Sequence, residues 1–342
     1  MERFDVIIVG GGPAGLQCAR ELADSDLRVL LLEKGEIFGD KLCAGGLTLK
    51  DMEVLELPDS VVEHRISRAT IHSRQRRADT NVAAPFLFTV DRRELGAYQR
   101  GQLEGTGVEV RTKSQVTEIA SDRVILKEGE AIGYTHLVGA DGYASRVRRH
   151  LGLEVGKRLI GFQYTIPVKR VEPVLEMFLD ARRFDLWYAW IFPHREQIAV
   201  GCCCDPDRVN HLKVKASFLE WVEEMGIDPG DAILESYPIA YDYQGFHFGN
   251  IFLAGEAAGL ASGFTGEGVY QSLVSGQEVA RMILDPAYNP ELLKSVLKYN
   301  RTLEKVMKIF RFAGPLKGVL QELLVFLMTR RRIRNRINAG FS

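Results

Sequence analysis

The sequence predicts an α/β protein, α+β overall, in which a parallel, helix-flanked sheet is interleaved with an antiparallel sheet and followed by C-terminal helices. Three observations predict it. The chain opens on a strand, glycine turn, helix and second strand. Two later strand ends, near 137–148 and 250–268, carry glycine beside a carboxylate. The stretches between them alternate apolar and polar residues and are rich in β-branched and aromatic side chains.

The opening unit runs from Val6 through Gly10-Gly11-Gly12-Pro13-Ala14-Gly15 to Arg28-Val29-Leu30-Leu31-Leu32-Glu33. Gly10 permits the tight turn, Gly12 lets the backbone approach a pyrophosphate, and Gly15 lets helix and strand pack closely, so phosphates meet the helix N-terminus. Glu33 lies eighteen residues past Gly15, where a carboxylate accepts hydrogen bonds from ribose hydroxyls and repels a 2′-phosphate. Pro13, Ala14 and Lys34, beside the acid, belong to the same expected cofactor contact. The unit is Rossmann-like, and the candidates are FAD and NAD.

Two later segments separate these candidates. One is Leu137-Val138-Gly139-Ala140-Asp141-Gly142-Tyr143-Ala144-Ser145-Arg146; the other is Phe252-Leu253-Ala254-Gly255-Glu256-Ala257-Ala258-Gly259, followed by Thr265-Gly266-Glu267-Gly268. Each brings an acid and backbone N–H groups toward one polar ligand. Together with the first motif they resemble the flavoprotein fold of the aromatic hydroxylases, which implies FAD. By that resemblance Asp141 and Gly142 lie near the pyrophosphate and riboflavin, and Gly255 and Glu256 hold the ribityl chain. Gly266, Glu267 and Gly268 face the flavin ring, and Arg92 lies near the cofactor.

Four segments narrow the resemblance to the geranylgeranyl reductase family, which saturates carbon–carbon double bonds of isoprenoid chains. Lys41-Leu42-Cys43-Ala44-Gly45-Gly46 is similar to that family's run beside the isoalloxazine, and Tyr188-Ala189-Trp190-Ile191-Phe192-Pro193 to its substrate strand. Gly255-Glu256-Ala257-Ala258-Gly259 and Thr265-Gly266-Glu267-Gly268 complete the match, which spans residues 1 to about 290. Two positions depart from the pattern. Glu256 replaces aspartate, which keeps the charge, and Gly263 stands where many relatives have proline, which leaves that loop less constrained.

Along the chain, 1–65, 86–155 and 240–290 form a discontinuous FAD-binding domain, 66–85 and 156–239 a substrate domain, and 291–342 a helical segment. Within the first, Phe88 to Leu95 starts a helix. Substrate-domain strands are expected at Ala69–Ser73, Ile160–Val168, Leu175–Leu179, Leu186–Phe192 and Gln197–Cys203, as an antiparallel sheet over the flavin. Tyr188, Trp190 and Phe192 alternate onto one face as an aromatic wall. Two readings stand: the rings fill the inter-domain core, or they line a cavity that suits a hydrocarbon, because apolar burial at roughly 25 cal/mol per Å² needs no polar complement. Cys202, Cys203 and Cys204 point alternately to opposite faces and read as small core residues rather than a metal or cluster site. The seven histidines form no triad or metal spacing.

The chain has 342 residues, 46% of them hydrophobic, and a net charge of −1. Residues 294–342 hold twelve Lys or Arg against Glu304 and Glu322, a net of +10, leaving −11 elsewhere. No secretory signal precedes the first strand, and Leu323–Met328 is far too short to span a bilayer, so a cytoplasmic protein is expected. The tail reads as two helices broken at Gly314-Pro315. Leu316, Val319, Leu320, Leu323, Leu324 and Leu327 form an apolar stripe ending in Arg330, Arg331, Arg332, Arg334 and Arg336. Two readings stand: a helix docked on the flavin domain, or an interfacial basic helix that holds the protein peripherally on anionic membrane. No nucleic-acid motif accompanies the positive charge.

The family resemblance implies hydride transfer from reduced flavin to one alkene carbon of a hydrophobic lipid or quinone chain, with Cys43 and Tyr188 as candidate proton donors. The electron donor is open: NAD(P)H visiting transiently, or another reductant. Two other readings are a monooxygenase of an aromatic or polyketide ring, and a non-catalytic flavin-stabilised protein that docks on membranes.

Overall fold

The computed structural model describes residues 1–329. Strand Glu2–Val9 runs through the middle of an eight-stranded sheet. Val29–Leu32 and then Val108–Arg111 lie parallel on one side, Ala131–Gly139 and then Ile251–Leu253 on the other. His247–Phe248 closes that edge antiparallel, and the hairpin of Val116–Ile119 and Arg123–Leu126 branches from Ala131–Gly139. From Val6 to Val9 the central strand is apolar without alternation because both faces are covered. Val6 and Ile8 pack with Leu16, Cys18 and Ala19, whereas Ile7 and Val9 pack with Leu137, Leu253 and Val274.

Helix Pro13–Leu22 follows the glycine turn, with Gly12 at its cap and Pro13 in its first turn, where a missing N–H costs nothing. It crosses helix Val269–Leu284 at Gly276, where a Cβ would stand 2.2 Å from the carbonyl oxygen of Ala14. The expected helix start near Phe88 lies later. Phe88 and Val90 belong to strand Leu87–Val90, and helix Arg92–Gly101 begins after Asp91, whose carboxylate accepts the N–H groups of Arg93 and Glu94.

The second sheet has seven strands in the order Glu235–Ala240, Arg158–Pro167, Gln197–Cys204, Ala189–Pro193, Val174–Phe178, Arg68–His72, Arg77–Asn81. It is antiparallel except that Val174–Phe178 and Arg68–His72, joined by no hairpin, run parallel. The strand expected from Leu186 begins at Ala189. Helix Ala181–Phe184 ends at Asp185, which has φ 54°, and the chain turns through Leu186 and Trp187, so Tyr188 precedes the strand. Helix His211–Glu224 covers one face of this sheet. Its Phe218 and Trp221 join Phe178, Phe184, Trp187 and the free, buried thiols of Cys202, Cys203 and Cys204 in one core. Gly46–Thr48, Leu87–Val90 and Val62–Ile66 make a third, small sheet.

Helix Glu291–Phe312 places Leu293 and Val296 in the core of the parallel sheet and Met307 in that of the seven-stranded sheet, so it bridges both rather than docking on the flavin-side sheet alone. After the turn Gly314–Leu316, helix Lys317–Met328 packs through Val325 and Met328 against Ala78. Of the apolar stripe, for which a docked and an interfacial reading both stood, Leu316, Val319 and Leu323 are exposed and Leu320, Leu324 and Leu327 half-buried, while Gln321 is buried by hydrogen bonds to the Ala181 N–H and the Asp185 carbonyl. No helix among the described residues is long and apolar enough to cross a membrane. The arginines from Arg330 onward lie outside the described residues.

Candidate active site

The glycine turn separates two kinds of glycine. Gly10 has φ +107°, and a Cβ on it would meet the Ala140 carbonyl at 2.4 Å; one on Gly15 would stand 1.9 Å from the Gly10 carbonyl. Both are demanded by strand and helix packing. A Cβ on Gly12 meets nothing within 4 Å. Ala14 is buried against Gly255 and Gly276, so it serves the helix crossing. The Glu33 carboxylate reaches back to the turn, accepting the Gly11 N–H at 2.6 Å and the Gly35 N–H at 2.8 Å, while Lys34 is exposed.

The second acid-bearing strand end brings Asp141 and Gly142 to the same side. Asp141 Oδ2 accepts the Arg146 N–H at 2.6 Å, and burial raises its carboxyl above the usual range. Gly255 and Glu256 lie in the turn Gly255–Ala258, where the Gly255 N–H donates to Ser275 Oγ at 2.8 Å. Glu256 accepts the Ala240 N–H at 3.0 Å and pairs with Lys41, whose ammonium also sits 4.3 Å from the Tyr237 ring centroid. Burial works to lower the Lys41 pKa, but Glu256 and Tyr237 outweigh it and hold it above its ordinary value.

Between Ser262 and Gly268 the chain folds on itself, the Gly266 N–H bonding to the Ser262 carbonyl at 2.9 Å and the Ser262 N–H to the Glu267 carbonyl at 2.7 Å. Gly266, with φ +73°, again has open space beside it. Gly263 does not loosen this loop: the Tyr241 ring fills the place of its Cβ, at 2.4 Å, and its carbonyl accepts Trp187 Nε1 at 3.0 Å. The Glu267 carboxyl is pushed up to about 7 by burial and then by Asp51, itself raised by burial to about 6.

The aromatic strand meets this loop and the cysteine loop together. Tyr188 donates to the Thr265 carbonyl at 2.7 Å and packs edge-on to Trp190, 6.1 Å away. Burial holds its phenol far above the usual range, so Tyr188 anchors the wall and is a poor acid. The Trp190 ring lies over Gly201 and the Phe192 ring over Gly46, where a Cβ would stand 2.5 Å from each. Trp190 Nε1 donates to Gln163 Oε1 at 3.3 Å, and Gln163 Nε2 donates to the Cys43 carbonyl at 3.2 Å. His194, directly after Pro193, contacts the Ala44 carbonyl at 3.0 Å and pairs with Glu63. Sequence reasoning missed Gln163, His194 and Glu63. His194 alone had a signal, its place at the end of the aromatic strand; Gln163 sits in an apolar strand and Glu63 in a short one with nothing to mark it.

Residues 3–223 match the family described as FAD binding domain. The chain belongs to the FAD-binding-domain family. Among its relatives, digeranylgeranylglycerophospholipid reductase 2 of Methanopyrus kandleri is 27% identical over 94% of this chain and 87% of that protein. The chloroplastic geranylgeranyl diphosphate reductase of Oryza sativa subsp. japonica is 26% identical over 94% and 75%. The crystal structure of a geranylgeranyl bacteriochlorophyll reductase-like protein of Thermoplasma acidophilum shares the fold, with a TM-score of 0.79 at 21% identity, covering 97% of this chain and 92% of that one. The protein is an FAD-dependent oxidoreductase with geranylgeranyl reductases among its relatives, as the motifs imply.

Its residues fit the cofactor. Arg92 Nε and Nη1 and Asp141 Oδ1 are buried without a hydrogen-bond partner, a costly state for charged groups that a polar ligand relieves. Arg93 beside it is exposed and paired with Asp40 at 2.6 Å, so only Arg92 of the two is turned inward. The open spaces at Gly12 and Gly266 lie on the segments expected to approach pyrophosphate and ring.

Proposed function

We propose that this flavoenzyme saturates carbon–carbon double bonds in an isoprenoid chain of a lipid or quinone. One observation carries the reading: the ring of Phe192 lies on Gly46 and Trp190 is tied through Gln163 to Cys43, so the aromatic wall and the cysteine loop form one surface. An apolar wall binds a hydrocarbon by area and positions its double bond without polar partners. The names of the reductase relatives support the same chemistry.

Bound FAD supplies the hydride when reduced. Glu33, Arg92 and Asp141 hold its polar parts, and Lys41 neutralises Glu256 beside the expected ribityl chain. Tyr188, Trp190 and Phe192 exclude water from the alkene, and Cys43, half-buried, is the proton donor to the second carbon. Exposed Ile309, Phe312, Leu316 and Val319, with Lys305 and Lys308 nearby in sequence, support delivery of the substrate from an anionic lipid surface. The test is anaerobic reduction of the holoenzyme followed by prenyl lipids and quinones. Flavin reoxidation with a saturated product is expected; reduced flavin that only oxygen discharges, with hydroxylation of an aromatic substrate, would establish a monooxygenase in its place.

A further inference from the structure

His194 is buried, 4% exposed, at the end of strand Ala189–Pro193. Its Nδ1 meets the Glu63 carboxylate and its Nε2 the Ala44 carbonyl at 3.0 Å. Both partners are acceptors, so both ring nitrogens face groups to which they can only donate. Glu63 is ionised: burial tends to raise its carboxyl, but the hydrogen bond and charge of His194 hold it below the usual range. The turn is shaped around this ring. Gly45 has φ +72°, and a Cβ on it would stand 2.6 Å from His194 Cε1.

The Ala44 carbonyl and the Gly45 N–H are two ends of one peptide group, and that N–H donates to Cys43 Sγ at 3.4 Å. A peptide whose oxygen accepts from a cation is more polarised and donates more strongly at its nitrogen. Gln163 fixes the preceding peptide through the Cys43 carbonyl. We propose that His194, held as a cation by Glu63, is a positioning residue that acts through the Ala44–Gly45 peptide to orient the Cys43 sulfur and stabilise the anion left when it gives up its proton. Placing that proton transfer in alkene reduction rests on the proposed function: the S–H bond breaks, the proton enters the new C–H bond opposite the hydride, the electron pair stays on sulfur, and water restores the proton. The other groups facing the pair are His64, whose Nε2 lies 3.0 Å from the His194 carbonyl oxygen, the Arg195 N–H, 3.3 Å from Glu63 Oε1, and Asp91, which acts on Glu63 through its charge; Cys43 itself also feels the charge of Lys41.

The experiment is iodoacetamide alkylation of the full chain across pH, with and without FAD, read by peptide mass. Cys18, Cys202, Cys203 and Cys204 are buried and Cys43 is not, so native-state labelling reports Cys43. In the wild type, Cys43 is expected to react at lower pH than it does in the urea-unfolded chain. His194→Gln and Glu63→Gln should slow it roughly tenfold at neutral pH and move the profile upward, and His194→Lys should restore part of the rate. Coincident native and unfolded profiles, or folded variants that label like wild type, would overturn the proposal. Because the charge of Lys41 also favours the thiolate, the comparison is repeated in Lys41→Met: a native profile still below the unfolded one supports the proposal even if the His194 variants do not fold, and one that coincides with it overturns the proposal. FAD that fails to protect Cys43 would count against the placement of this loop beside the flavin, and the effect of His194 would stand separately.

Discussion

At Arg92 two guanidinium nitrogens are buried without partners, and this predicts unequal effects of one substitution. Arg92→Met removes two buried donors without partners at the cost of one charge interaction with Asp51, so the FAD-stripped protein should melt within a few degrees of the wild type. FAD affinity, read by flavin fluorescence titration, should fall ten- to a hundredfold, the loss of charge-assisted hydrogen bonds worth about 1.5–3 kcal/mol. A large drop in the melting temperature of the stripped protein would mean that Arg92 has a structural partner after all. Glu267 makes a pH prediction. Its carboxyl is raised from 4.5 to about 7, so the stability contributed by its neutral form is complete below pH 4.5 and is lost as pH rises through 7. Glu267→Gln should flatten this part of the stability profile and be the more stable protein at pH 8, by at most about 3 kcal/mol. Urea unfolding at pH 5 and pH 8 measures it, and parallel profiles for the two proteins would contradict it.

At the scale of elements, the glycine turn offers a separation that few motifs allow. Gly15→Ala would drive a Cβ to 1.9 Å from the Gly10 carbonyl and should prevent stable packing of helix Pro13–Leu22, whereas Gly12→Ala has free space and an ordinary φ of −78°. Gly12→Ala should therefore fold like wild type, by circular dichroism and thermal melting, yet lose at least about tenfold in FAD affinity, because a methyl group stands where backbone must approach phosphate. These elements were legible because periodicity and turn chemistry are local. Most strands of the two large sheets, the break at Gly314-Pro315 and the acids at strand ends follow from neighbours in sequence, whereas the edge strands Arg77–Asn81, Glu235–Ala240 and His247–Phe248, which lack an apolar run, were not expected. The start of the aromatic strand was not, since a left-handed Asp185 gives no compositional sign, and it displaces Tyr188 from the ladder while leaving its ring beside Trp190. The contacts that make the cysteine loop were still less legible: Gln163 and Glu63 reach Cys43 and His194 across 120 and 131 positions, and nothing in either local sequence marks them.

Across the whole molecule, an excess of positive charge coincides with a run of exposed apolar side chains toward the C-terminal end of the chain. Helix Glu291–Phe312 ties the cores of both large sheets together, its last residue Phe312 is 91% exposed, and Leu316, Val319 and Leu323 follow it on the surface while Val325 and Met328 pack on Ala78. Exposing a phenylalanine and three aliphatic residues on a segment of net charge +10 is costly in water but favourable where acyl chains lie beneath anionic headgroups. The full chain should therefore co-sediment with anionic vesicles and less with neutral ones, and salt should weaken the attachment without abolishing it, since the apolar contribution is not screened. Replacing Phe312 and Val319 together with serine removes apolar area and no charge. It should reduce vesicle binding several-fold at high salt while leaving the stripped protein's melting temperature unchanged, because neither side chain is buried. Equal sedimentation of the double variant and wild type would mean that charge alone accounts for attachment. Absence of both from the pellet would remove the lipid surface from the account and leave substrate arriving by another route.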